Sequence, residues 1–361
     1  MLRLSATAVL LAYSILAAQD SRNMILAASR SGIVELIDPS TLATLARINF
    51  KVGPVGLNGI SASADGSSLY VEGPTPQEPN ACCVLYSLDL ATLQVKLAAS
   101  IPGSRSRNSF VFSDGLVYNS ATLMPNKMPG DMSNDRFHLS PDGRWLFGVN
   151  SFHGPALDLY DINGGRLIRR LTPVGLKGDW WPSGVWSGDR FYLYANDGNG
   201  TGRLWTVSPE STQLGPGDAI AALGSVSGCS NQSPTGIAAS GGAVFIYEEF
   251  GFKVDRRNGC KGQVPGGAWR IDPTKSIRGH QIAAGRHFSV LFANPAGSAL
   301  YGLCTESPNW DLPAELVRMD PSDGRILQSR HLDAGFWRIA MAPLRVVPSG
   351  DLHPSGFTGT R

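Results

Sequence analysis

The side chains of this chain best equipped for chemistry stand at the ends of short apolar runs. Asp197, Glu248, Glu249, Glu306 and His153 each follow such a run; Trp180, Trp181, Trp337 and Arg338 lead into one, and Trp310 lies in a loop. Carboxylates beside Asn196 make an oxygen-rich set of the kind that holds a hard cation, so Ca²⁺ is the ion this composition suits. The stretch Asp197-Gly198-Asn199-Gly200-Thr201-Gly202 starts as a calcium loop does, yet Ser208 stands where the glutamate of the twelfth position is needed. It reads as a glycine-rich turn, and neither a metal nor a cofactor is expected. His138, His280 and His287 lack the spacing of metal ligands.

Motifs for covalent chemistry are absent. The chain has no G-x-S-x-G, no phosphate-binding loop, no G-x-G-x-x-G and no H-E-x-x-H, so no catalytic residue is assigned. Tryptophans around a polar centre suit a sugar, a peptide or a cation. Taken singly, each would rather plug a seam between structural units; as a set entering one face, they mark a candidate binding site.

The elements that must position these residues are repeats. Residues 136–150 read RFHLSPDGRWLFGVN: an apolar strand, a Ser-Pro-Asp-Gly turn and a second apolar strand. Looser copies stand at residues 59–73, 108–120, 183–197, 235–249 and 287–305. After most copies comes a second device, an Asp-led turn between two further strands, at Asp38, Asp89, Asp161, Asp272 and Asp320, with a Pro209 variant. Asp at the first turn position bonds its own backbone, and Pro at the next presets φ. The unit is therefore four strands, a to d. The 72 residues from Asp89 to Asp161 hold two units, the extra one spanning 108–127 with its outer turn reduced to 124–127. Residues 336–343 look like an innermost strand without its hairpin partner, whereas the N-terminus supplies partners without an innermost strand; joined, they bring the total to seven.

Four-stranded sheets repeated radially make an all-β fold, a seven-bladed β-propeller closed by pairing of its N- and C-terminal strands. Near-continuous apolar runs at 145–149 and 244–247 fit sheets covered on both faces. In such a ring the b-to-c loops and d-to-a connections share one face. The long loops, 73–81, 150–156, 196–203, 248–267 and 305–314, are all b-to-c, so function is expected on that face. Cys229 and Cys260 both fall there and are expected to pair. A disulfide closing a loop of about 31 residues is worth roughly 3–4 kcal/mol. Cys82 and Cys83 are adjacent, either as a vicinal disulfide or as two thiols.

SPDGRWLFGVN at 140–150 resembles the consensus of YVTN-type propellers, the group that includes lactonase-like and amine-dehydrogenase-heavy-chain-like folds; ADGSSLYVEG at 64–73 and PAGSALYGLC at 295–304 are looser copies. The resemblance covers about residues 21–344 and implies the propeller fold. Three functions follow in order of preference. The first is a non-catalytic binder of a small molecule, glycan or protein. The second is a lactonase-like hydrolase, possible with metal assistance, for which Glu248, Glu306, His153 and Arg338 are the available positions. The third is a quinoprotein-like periplasmic redox subunit, which Cys82-Cys83 resembles but whose tryptophan-docking motif is missing.

Residues 1–18, with Arg3, an apolar run over 4–16 and small Ala17 and Ala18, read as a signal peptide, too short to span a bilayer. The mature chain is expected to be exported, as one propeller domain over 21–344 followed by a flexible tail over 345–361. A net charge of +2 with 17% charged residues and no basic run excludes the usual nucleic-acid footprint. Any partner is thus a ligand or protein at the elaborated face.

Overall fold

The structure, a computed structural model, describes residues 22–50, 57, 59–63, 66–73, 84–100, 112–113, 116–118, 125–127, 136–140, 144–150, 156–161, 166–174, 183–196, 202–219, 235–248, 267–286, 288–304 and 313–355. Among these the chain forms strands and no helix, and the strands make seven separate sheets.

The first sheet starts with β1 (Arg22–Ser29), β2 (Ile33–Ile37) and β3 (Thr44–Asn49). The second is β4 (Gly59–Ala62), β5 (Ser68–Gly73), β6 (Val84–Asp89) and β7 (Val95–Ser100). The third has three strands, β8 (Phe112–Ser113), β9 (Leu116–Tyr118) and β10 (Pro125–Lys127). The fourth is β11 (Arg136–Leu139), β12 (Trp145–Asn150), β13 (Ala156–Asp161) and β14 (Arg166–Leu171). The fifth is β15 (Ser183–Ser187), β16 (Arg190–Asn196), β17 (Gly202–Val207) and β18 (Asp218–Ala219). The sixth is β19 (Thr235–Ser240), β20 (Ala243–Glu248), β21 (Ala268–Asp272) and β22 (Ser276–Ile282). The seventh is β23 (Phe288–Ala293), β24 (Leu300–Cys304), β25 (Pro313–Met319) and β26 (Ile326–Ala334). The chain then returns to the first sheet with β27 (Phe336–Leu344) and β28 (Gly350–Leu352), giving the order β27-β1-β2-β3-β28. β27 pairs antiparallel with β1 from Arg22↔Leu344 to Ser29↔Phe336, so strands from the two ends of the sequence share one sheet.

Local chemistry sets the hairpins. In the a-to-b turns the first residue caps the next strand: Ser63 Oγ accepts from Ser68 N at 3.0 Å, Ser140 Oγ from Trp145 N at 2.9 Å, and Asn294 Oδ1 from Ser298 N at 2.9 Å. The c-to-d turns repeat a tighter design. Asp38, Asp89 and Asp320 each accept backbone N–H groups two residues on, at 2.7, 2.9 and 2.8 Å. In each the fifth residue, Leu42, Leu93 or Gly324, takes a positive φ of 53°, 56° or 73° and donates its N–H to the first carbonyl.

The cores lie between sheets, not within one layer. Strand alternation sends Met24, Leu26 and Ala28 of β1 toward the second sheet and Ile25 and Ala27 toward the seventh. In β16, Phe191, Leu193 and Ala195 join the core shared with the fourth sheet, while Tyr192 and Tyr194 join the one shared with the sixth. Sheets six and seven share a further core around Phe245, Tyr247, Phe288 and Leu291. Every such strand is apolar at consecutive positions because both its faces are covered. The innermost strands β11, β15, β19, β23, β27 and β4 stand side by side in that order.

Two expectations are corrected. Residues 125–127 form strand β10, paired with β9 at Pro125↔Tyr118, where the sequence reads as a reduced turn; Pro at a strand's first position forfeits no ladder bond. The segment expected as a flexible tail is built into the sheets as far as Ser355: β28 pairs parallel with β3 over Ala46–Ile48, and Ser355 bridges Gln94. Its apolar residues Val346, Val347 and Leu352 are too sparse to show periodicity, yet all three pack on the core between the first and second sheets.

Candidate functional site

The b-to-c turn of the first sheet draws three connections together. Ser29 Oγ accepts from Ile33 N at 3.0 Å and meets Ser31 Oγ at 2.8 Å, while Gly32 adopts φ 82°, so the turn is tight and Arg30 stands at its tip. Arg30 N donates to Gly335 O at 2.9 Å, in the link that enters β27. Leu57 N donates to Ser29 O at 3.4 Å, in the link that leads to β4. A b-to-c turn and two d-to-a connections therefore meet on one side of the fold, as expected.

Trp337 lies at the centre of this meeting point, half-buried. Its indole Nε1–H donates to Leu57 O at 2.8 Å, and its ring has the Arg338 guanidinium 4.3 Å and the Arg30 guanidinium 5.3 Å from its centroid. Both contacts fall within cation–π range. Trp337 thus acts first as a bridge between β27 and the next sheet's entry, which is the seam-plugging role; it also sets two guanidiniums around one aromatic plane. Trp186 and Trp205 likewise spend their N–H groups on backbone, on His138 O and Gly215 O at 2.9 Å each.

A second polar group occupies the same end of the seventh sheet. Phe288, Cys304, Glu315 and His331 stand opposite one another across its four strands. Arg286, in the connection before β23, donates from Nη1 to Glu315 Oε2. Burial alone would raise the Glu315 carboxyl, but hydrogen bonds from Ser329 and Arg286 and their charge environment outweigh it and hold the group below its ordinary value. Cys304 is a buried free thiol. Burial pushes it up to about 12, with Arg286 opposing and Glu315 reinforcing the shift, so at neutral pH it is a protonated thiol and not an activated nucleophile. Among the described residues no three His, Cys, Asp or Glu side chains are grouped so as to hold a metal ion.

Of the residues singled out from the sequence, Trp337 and Arg338 are chain neighbours, and the structure lays the Arg338 guanidinium over the Trp337 ring. Glu248 ends β20 opposite Thr235, which is the same strand end as Ser29 and Cys304. His153, Trp180, Trp181, Asp197, Glu249, Glu306 and Trp310 lie outside the described residues, as do Cys82, Cys83, Cys229 and Cys260. Sequence reasoning missed Arg30, Arg286 and Glu315. The signal for Glu315 was its strand register opposite Cys304; nothing local marks Arg30, whose partners are Gly335 and Trp337.

No protein-family model matches the chain, and no curated protein matches it. Among solved structures it is similar to a putative 6-phosphogluconolactonase from Bacteroides uniformis ATCC 8492, at TM-score 0.53 and 14% identity over 90% of this chain and 100% of that one. It is also similar to the dihydro-heme d1 dehydrogenase NirN in complex with DHE, at TM-score 0.51 and 14% identity over 86% of this chain and 73% of that one. Apo AztD from Citrobacter koseri gives TM-score 0.46 at 15% identity over 87% and 84%. The first two carry the conclusion on fold: this is an all-β protein of β-propeller type.

Proposed function

We propose that this chain is an exported, seven-bladed β-propeller, its ring completed by the β27–β1 pairing, that binds a small molecule, glycan or protein at the b-to-c face without turning it over. The observation that supports this reading is the Arg30–Trp337–Arg338 group, gathered by three separate connections on the side from which the long b-to-c loops depart. An indole beside guanidiniums suits the stacking and charge-assisted hydrogen bonding by which proteins hold sugars and acidic groups. Export rests on the apolar leader over residues 1–18. A lactonase-like hydrolase is the competing reading, since a putative 6-phosphogluconolactonase shares the fold; fold alone does not carry activity.

The test is a binding screen of the mature protein against neutral and acidic oligosaccharides and short peptides, read by calorimetry, with lactone hydrolysis assayed in parallel with and without added Ca²⁺. Arg338→Gln and Trp337→Phe are expected to weaken the binding found by tenfold or more. Unchanged binding in both folded variants overturns the site, and lactone turnover by the wild type overturns the non-catalytic reading.

A further inference from the structure

The seam between the seventh and first sheets is closed by side chains. Four consecutive carbonyls of one turn, Pro39, Ser40, Thr41 and Leu42, accept from Tyr301, Arg318, Gln328 and Arg330 of the seventh sheet. The seam on the other side of the first sheet is closed differently, by the segment that follows β27. Arg345 N donates to Gly66 O at 2.9 Å, fixing the inner end of the crossing on an a-to-b turn of the second sheet. That approach needs glycine: a Cβ on Gly66 would lie 2.6 Å from Pro343 O and 2.7 Å from Arg345 N.

From there the chain crosses the first sheet to its outer edge. Residue steps from Leu344 to Gly350 reach at most about 21 Å, and the strand spacings from β27 to β28 amount to about 19 Å, so the crossing is nearly extended. Val346, Val347 and Leu352 pack on the core shared by the first and second sheets, and Gly350–Leu352 pairs parallel with Ala46–Ile48. Ser355 then enters the outer turn of the second sheet: its N–H donates to Leu93 O at 3.0 Å and its carbonyl accepts from Val95 N at 2.8 Å. Backbone pairing at both ends with apolar anchors between them is how an extended peptide is held on a sheet edge.

We propose that residues 345–355 are a separable strap seated in a strand-accepting groove over the seam between the first and second sheets, and that the groove's occupant is this segment of the same chain. The pairing of β27 with β1, which joins the chain ends, does not include the strap. Release leaves the fold closed by β27 while uncovering the outer edge of β3. An uncovered edge is a template for another strand.

The experiment compares the full chain with one ending at Leu344, by hydrogen exchange, and titrates the shorter chain with a synthetic peptide of residues 345–355. The shorter chain is expected to fold and to keep slow exchange in β1, while the Val95 amide exchanges at least tenfold faster. Saturating peptide restores Val95 protection; a peptide carrying Val347→Ser and Leu352→Ser does not. Should the shorter chain fail to fold, the same two substitutions in the full chain are expected to speed Val95 exchange with β1 unchanged. Equal Val95 protection with and without the strap, a folded shorter chain that ignores the peptide, or loosening of β1 together with Val95 in the substituted full chain would each overturn the proposal.

Discussion

At the residue scale, glycines of the sheets are places where a ring lies on the backbone. A Cβ on Gly236 would meet the Tyr247 ring at 2.0 Å, and one on Gly184 the Phe191 ring at 2.2 Å. Both rings are buried, so neither can swing into solvent. Gly236→Ala is therefore expected to cost about 1–3 kcal/mol of stability by overpacking, measured by denaturant unfolding; a loss below about 0.5 kcal/mol, the level of a neutral surface change, contradicts this account. Cys304 makes a second prediction. Its folded-state value is raised, so the stability it contributes is complete below the unfolded value near 9 and drains away as pH rises toward about 12. Native protein at pH 8 should leave Cys304 unalkylated by iodoacetamide, whereas unfolded protein should be labelled there within minutes, as peptide mapping can check.

At the element scale, the Asp-led turn is where sequence and electrostatics coincide. Burial would raise the Asp38 carboxyl, yet hydrogen bonds from Ser40 and Thr41 and the charge of Arg22 prevail and lower it. Asp272 is lowered by Lys275 and Thr274, and Asp320 by Ser322. A carboxyl lowered in the folded state stabilises above its unfolded value, near 4, and that contribution is lost as pH falls through the lower folded value. Thermal stability should thus hold between pH 5 and 7 and decline below about pH 4, and Asp38→Asn should flatten part of that decline. Leu42 shows two effects in competition. A left-handed non-glycine residue costs about 1–2 kcal/mol, but deleting a buried Leu side chain costs about 2–5 kcal/mol. Leu42 is 1% exposed in the core between the first and seventh sheets, so burial wins and Leu42→Gly is expected to destabilise.

At the scale of the whole molecule, neighbouring sheets grip one another's outer turns. Arg169 donates to Ser211 O at 2.7 Å between the fourth and fifth sheets, and Arg330 to Leu42 O at 3.0 Å between the seventh and first. Arg330 also reaches Glu35 Oε2 at 3.0 Å, and the Glu35 side chain is only 5% exposed. Removing Arg330 leaves that carboxylate with Thr44 at 2.8 Å and Arg47 at 3.9 Å. Arg330→Ala should therefore cost about 2–4 kcal/mol, less than the loss of a sole buried partner. A double-mutant cycle with Glu35→Gln measures the coupling, and additivity of the two changes would show that the seam does not depend on this pair.

How much of this was legible beforehand follows from sequence separation. The hairpins and turns could be read because their bonds join residues two to five apart, such as Ser40 N to Asp38 and Trp145 N to Ser140, so residue type and spacing state them directly. Near-continuous apolar strands told the same story, since a strand covered on both faces has no polar side to show. The Trp337–Leu57 bond joins residues 280 apart and the Arg330–Leu42 bond residues 288 apart, and their donors look like any other Trp or Arg in the sequence. The strap was missed because a backbone that pairs with an edge carries no apolar rhythm of its own. Repeat architecture is thus written into local chemistry. What gathers at the b-to-c face, and what fastens the first sheet to its neighbours, is decided only once the sheets stand side by side and distant backbone groups must find partners.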